Sequence, residues 1–228
     1  MENKSWVTRN LILFWTLSAL PLVAAVLLLP LFPDQIPAHY GLDGVVDRWG
    51  SKYEILITPI STLGVAALLI AIQKASQRMK SYNPQNEKSF AVSLIAFLLL
   101  FWVLNIYIFY TSYTKTEDIM QTGMDMMRLL AVIMGIVFIL IGNVLPKCKQ
   151  NMLIGIRTKW TLENEQVWYK THRMGGVLFV AAGCAVIVLN LFLFQSFASL
   201  ICLLAALAAL SILCVIYSAV IYQKETQI

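Results

Sequence analysis

Six stretches of this chain, Leu11–Phe32, Ile55–Ile72, Phe90–Tyr110, Leu129–Leu145, Val177–Phe194 and Ser199–Tyr222, contain no Asp, Glu, Lys, Arg or His. As α-helices rising about 1.5 Å per residue, such stretches span a hydrocarbon core of roughly 30 Å, and a helix satisfies its own backbone in lipid. Composition agrees. Hydrophobic residues make up 59% and charged residues 13%, against roughly 45–50% and 25% in soluble domains, and the mean hydropathy is +0.74. Too little polar surface remains to coat a water-soluble globule of this size. The sequence predicts an all-α integral membrane protein with six transmembrane helices. The first stretch exceeds a signal-peptide core and precedes no A-x-A site, so it reads as a retained span.

The net charge is +5, but no run of five like charges exists, which argues against direct nucleic-acid binding. Thirteen of the seventeen Lys and Arg fall on one side of the six-span arrangement, in the two tails and the second and fourth loops. The positive-inside rule then puts both termini in the cytoplasm, the loop 33–54 outside and the loop 146–176 inside. The chain divides into a two-span unit, 1–89, and a four-span unit, 90–228.

Proton-coupled transport normally needs a carboxylate or histidine at membrane depth. The spans instead carry neutral polar groups such as Ser18, Thr58, Ser61, Thr62, Asn105 and Asn190, read as interhelical hydrogen bonders. A transporter or efflux protein for a small molecule or peptide remains the alternative function. Ala205, Ala206, Ala208, Ala209 and Ser211, with Gly64, Gly135, Gly142 and Gly183, suit close helix approach. Pro21 and Pro59 predict kinks, and the residues around 195–198 predict a tight helical hairpin. Cys148, Cys184, Cys202 and Cys214 form no C-x-x-C or Cys/His cluster. No metal or cofactor is expected.

Two loops are too particular to be plain connectors. In 33–54, prolines and glycines fix turns, and Asp43-Gly44 is a dipeptide that joins short strands. Asp34, His39, Asp43 and Asp47 form the one close His/Asp group in the chain. Their spacing matches no metal-ligand pattern, so pairing of the carboxylates with Arg48 and Lys52 is favoured, with Tyr40 and Trp49 at the interfacial belt. In 146–176, Pro146 ends the fourth span and Thr161 is a candidate N-cap of an amphipathic helix that stops at Gly175-Gly176. Trp168 and His172, four apart, share a face. This loop reads either as an interfacial helix or as a docking surface for a partner. His172 lacks an evident catalytic partner, so no enzyme activity is expected.

The segment Leu31-Phe32-Pro33-Asp34-Gln35-Ile36-Pro37-Ala38-His39-Tyr40, continued by Gly44 and Asp47-Arg48-Trp49-Gly50-Ser51-Lys52, resembles the N-terminal domain of unknown function of bacterial SdpI-type membrane proteins. The stretch Gly142-Asn143, Pro146, Asn151, Gly155-Ile156-Arg157-Thr158, Trp160-Thr161-Leu162, Trp168, Thr171-His172-Arg173 and Gly175-Gly176 is similar to their second signature, with Lys159 where that pattern has proline. The resemblance implies an immunity protein of the bacterial plasma membrane, protecting a producer from its secreted peptide toxin of the sporulation-delaying kind. It further implies a signalling receptor that holds a cytosolic repressor at the membrane. The residues expected to meet toxin are Asp34, His39, Asp47, Arg48 and Trp49. Those expected to meet a cytosolic partner or to build the signature are Asn151, Gly155, Arg157, Thr158, Trp160, Trp168, His172 and Arg173.

Overall fold

The computed structural model describes residues 11–41, 43–78, 82–120, 126–194 and 197–226. In chain order the elements are α1 (Leu11–Leu28), β1 (Gln35–Tyr40), β2 (Val46–Ser51), α2 (Ile57–Ser76), α3 (Glu87–Thr114), α4 (Met126–Val144), α5 (Lys159–Glu163), α6 (Glu165–Phe192) and α7 (Phe197–Thr226). Six of these helices, all but the short α5, are long and apolar enough to cross a membrane. Their outer faces remain covered with exposed Ile, Leu, Val and Phe, the surface that lipid rather than water tolerates.

Phe14 of α1, Ala66 and Ile70 of α2, and Phe90, Ala91, Leu94 and Leu98 of α3 form one buried cluster. Polar groups cross it at two points: Trp102 Nε1 donates to the Leu17 carbonyl at 3.1 Å, and Asn105 Nδ2 donates to Thr62 Oγ1 at 3.1 Å. The second group of helices is built on glycine. A Cβ on Gly142 would lie 2.7 Å from the Gly176 carbonyl oxygen, and one on Gly135 would lie 2.9 Å from that of Gly183. So α4 and α6 approach through their backbones, the small-residue packing that replaces hydrophobic drive in lipid. Arg128 at the start of α4 donates to the carbonyls of Asn190 and Leu191 at the end of α6, satisfying helix-end acceptors with a cation.

Several expectations change in detail. The fold is not wholly helical, because 35–51 forms an antiparallel hairpin. Thr161 is not the N-cap of the long helix: Thr158 caps α5, and Asn164 caps α6, its Oδ1 accepting from Gln166 N and Val167 N. Gly175-Gly176 does not end that helix, which runs through both glycines into the fifth span. They are packing glycines, met by Ile156 and by Pro146 and the Gly142 carbonyl. Pro59 lies in the first turn of α2, where its missing N–H interrupts no bond. Gly64 has open space around it, and Ala205, Ala208, Ala209 and Ser211 are exposed rather than packed. Of the hairpin expected at 195–198, residues 195 and 196 lie outside the described residues.

Candidate functional site

The two loops sit at opposite ends of the bundle, and each is built into it. At one end, β1 and β2 pair with Ile36 opposite Gly50 and Tyr40 opposite Val46. Gly44, at φ +81°, makes the turn, and Asp43 Oδ1 accepts from Val45 N at 3.1 Å. The loop between α3 and α4 joins as a third segment: Val46 N donates to Glu117 O at 2.8 Å, Ile119 N to Gly44 O at 3.0 Å, and Tyr40 Oη to Thr116 O at 2.9 Å. Phe32, Ile36 and Ile55 are buried beneath, against Ile108 and Phe109 of α3.

On this scaffold the five candidate residues separate into pairs. Lys52 Nζ donates to Asp34 Oδ1 at 2.8 Å, as expected, and the ammonium holds the Asp34 carboxyl below the usual carboxylate range. Arg48 takes Glu54 instead of an aspartate, bidentately at 3.2 and 3.0 Å, and this bonding raises the guanidinium above its ordinary value. Glu54 is delivered by a 3₁₀ turn, Lys52–Leu56, whose capping box on Ser51 folds the carboxylate back over the strand. His39 Nδ1 and Asp47 Oδ1 lie 2.7 Å apart, both side chains exposed. Trp49 is also exposed, opposite Pro37. Asp34, His39 and Asp47 do not converge, and among the described residues no three His, Cys, Asp or Glu are grouped to hold a metal. A cleft of ≈ 400 Å³ opens under the hairpin, between His39, Tyr40, Arg48 and Glu54 above and Thr58, Tyr107 and Thr111 below.

At the other end the 148–164 loop folds around Asn151 and His172. The buried Asn151 amide accepts from Leu153 N and Ile154 N, both at 2.7 Å, and donates to the Lys149 and Ile154 carbonyls at 2.7 and 3.0 Å. Asn86, between α2 and α3, doubles this brace by exchanging two bonds with the Lys149 backbone at 3.0 and 2.7 Å. Gly155, at φ +113°, brings Ile156 N to 3.0 Å from His172 Nε2. An amide can only donate, so Nε2 accepts and Nδ1 carries the proton, donating to the Trp168 carbonyl at 2.9 Å. The two rings stack at 4.0 Å, and Trp168 Nε1 donates to the Cys148 carbonyl at 2.8 Å. Burial pushes the Cys148 thiol up. With its lone pair occupied, His172 has none free to abstract a proton.

Asn151, Gly155, Thr158, Trp168 and His172 thus come together as one internal knot, tied to α7 by Thr158 Oγ1 donating to Ser218 Oγ at 3.1 Å. Arg157 and Arg173 are exposed and stand outside it, and the half-buried Trp160 carries Lys159 Nζ 5.1 Å above its ring. Reasoning from sequence missed Glu54, Asn86 and Ser218, and gave Tyr40 an interfacial place without its bond to the Thr116 carbonyl. The Ser51-x-x-Glu54 capping-box spacing could have found the first; the others had no local signal.

The SdpI/YfhL protein family model matches residues 147–218, and that of a domain of unknown function (DUF1648) matches residues 16–63. The first match contains the 148–164 loop with His172, and the second contains the β1–β2 hairpin. The chain is similar to "Immunity protein SdpI" of Bacillus subtilis (strain 168), 25% identical over 176 residues, which is 76% of this chain and 77% of that protein. No solved structure matches. Both matches lie in order on a chain of six apolar helices, so the similarity to SdpI-type membrane proteins extends to both built ends.

Proposed function

We propose that this chain is an immunity protein of the bacterial plasma membrane, with the hairpin end outside the cell and both termini in the cytoplasm, and that its ligand is a secreted peptide toxin of the sporulation-delaying kind. The reading is carried by the hairpin end: an exposed, rigidly braced platform over an amphipathic cleft of ≈ 400 Å³. A membrane-active peptide presents both apolar and polar groups, and this cleft offers Ile36, Ile55 and Ile108 beside Arg48, Glu54 and His39. The relative's printed name, an immunity protein, supports the same reading. Asp47, Arg48 and Trp49 would meet the toxin first, being on the exposed strand. At the opposite end, Arg157 and Trp160 form the surface offered to a cytosolic repressor, while the Asn151–His172 knot holds that surface in place.

The test is survival of a toxin-sensitive bacterium expressing the protein and challenged with the sporulation-delaying peptide. Protection without chemical loss of the peptide is expected, and it should fail for the Asp47→Ala/Arg48→Ala double variant at unchanged membrane level. No protection by wild-type protein confirmed in the membrane would refute the toxin assignment. For the second role, a repressor retained on membranes bearing wild type should be released by Arg157→Ala/Trp160→Ala; equal retention would remove those residues from the model.

A further inference from the structure

Between α6 and α7, lined by residues that make none of the hydrogen bonds of the Asn151–His172 knot, lies a groove of ≈ 630 Å³. Tyr169, Lys170 and Arg173 of α6 line one end of it with Ile221 of α7, and Val177 and Leu178 line the other with Tyr217, since Lys170 meets Glu225 and Gly175 lies by Cys214. The helix α6 has 28 residues, about 42 Å at 1.5 Å per residue, so it outruns a hydrocarbon core of about 30 Å. Its first three turns, which carry Tyr169, Lys170 and Arg173, therefore stand at headgroup depth, where tyrosines and cations collect.

The charges are unequal to their partners. Lys170 is paired with Glu225 of α7. Arg173 is exposed and has no ion pair or hydrogen bond among the described residues. An unneutralised guanidinium thus stands one helical turn from Val177, at the mouth of a trough bounded by two helices. The phosphodiester of a lipid complements it bidentately, and an acyl chain fills the trough below.

We propose that this groove is a binding site for one anionic phospholipid, with its phosphodiester on Arg173 and one acyl chain along Val177, Leu178 and the ring of Tyr217. The site does not depend on toxin recognition or on which end faces the cytoplasm.

The test uses the full chain in nanodiscs of equimolar phosphatidylglycerol and phosphatidylcholine with matched acyl chains, with retained lipid read by native mass spectrometry after mild detergent release. Wild type should retain phosphatidylglycerol about five-fold over phosphatidylcholine, the preference one basic side chain gives at an anionic surface. Arg173→Gln should bring this to the bulk ratio and Arg173→Lys, which keeps the charge but loses the two-pronged contact, should lower it, while Lys224→Gln keeps it. Tyr169→Glu, which places a carboxylate one turn before Arg173, should abolish it too, and so tests the site even if Arg173→Gln folds poorly. Bulk-ratio retention by wild type, preference surviving in Tyr169→Glu, or displacement of the lipid by inorganic phosphate would each overturn the proposal. So would a dimer carrying no lipid, which would make the groove a contact between copies.

Discussion

Gly155 occupies φ +113°, and a Cβ there would be driven into His172 Nε2. Both facts oppose any side chain: the backbone region is strained for L residues, and the nearest atom is a ring that is itself stacked and bonded on both nitrogens. Gly155→Ala is therefore expected to lower stability by about 2–3 kcal/mol, from strain plus the lost Ile156–His172 bond. Thermal unfolding in detergent measures it, and a wild-type midpoint would mean the loop tolerates another path. Part of this knot was legible, since Trp168 and His172 lie four apart on a helix. The Arg48 partner was not. Arg48 and Lys52 were equal candidates for the nearby aspartates until the 3₁₀ turn at Lys52–Leu56 carried Glu54 back to Arg48. The Asp34–Lys52 pair has a pH signature. Asp34 is depressed in the folded state, so what the pair contributes is present at neutral pH and is lost as pH falls through that depressed value. The Lys52 amide donates to the Asp34 carbonyl at 3.1 Å. Its hydrogen-exchange protection, once corrected for intrinsic rate, should hold from pH 7 through the ordinary carboxylate range near pH 4 and weaken below it. Loss already at pH 6 would show that the Asp34–Lys52 pair is not what clasps these two segments.

Among the helices, glycine carries two opposite meanings that sequence alone does not separate. Gly175-Gly176 has the composition of a helix stop, yet it lies inside α6 because Gly142 and Pro146 press against it. Gly64 looked like a contact point and meets nothing within 4 Å. The two cases predict substitutions of opposite sign. Gly142→Val would place its side chain against backbone atoms, the Gly176 carbonyl at 2.7 Å and Val180 N at 2.9 Å, which cannot give way as a side chain can. A loss of about 3 kcal/mol or more is expected, at the upper end of overpacking costs. Gly64→Ala removes backbone freedom from the unfolded chain at no steric cost and should stabilise by about 0.5–1 kcal/mol. Chemical denaturation in mixed micelles compares them, and equal effects would show that the α4–α6 approach is looser than described. The hairpin, by contrast, was readable from Asp43-Gly44, because a turn dipeptide acts over two residues whereas helix packing is decided across forty.

Across the whole molecule, the count of six spans was legible because each is continuous in sequence and apolar throughout, whereas which spans touch was not. Asn86 bracing Lys149 across 63 residues has no local signature at all. The proposed orientation rests on a different quantity, the distribution of thirteen of seventeen Lys and Arg to the tails and the second and fourth loops, which under the positive-inside rule is the ground for proposing a cytoplasmic Asn151 end. The hairpin's own contribution fits: at that end Arg48, Lys52 and Arg128 are bound to Glu54, Asp34 and the carbonyls ending α6, so three of its four basic residues are held by the fold, while Arg157, Lys159 and Arg173 are exposed at the other. The consequence is measurable with a membrane-impermeant maleimide in a variant whose four native cysteines are replaced. A cysteine replacing exposed Ser51 at the hairpin should label in intact cells. One replacing Arg157 should label only after the membrane is opened. The reverse pattern would turn the molecule over: the Asn151–His172 end would then meet any toxin, and the exposed Arg157 and Trp160, rather than Asp47 and Arg48, would be the residues to mutate for loss of immunity.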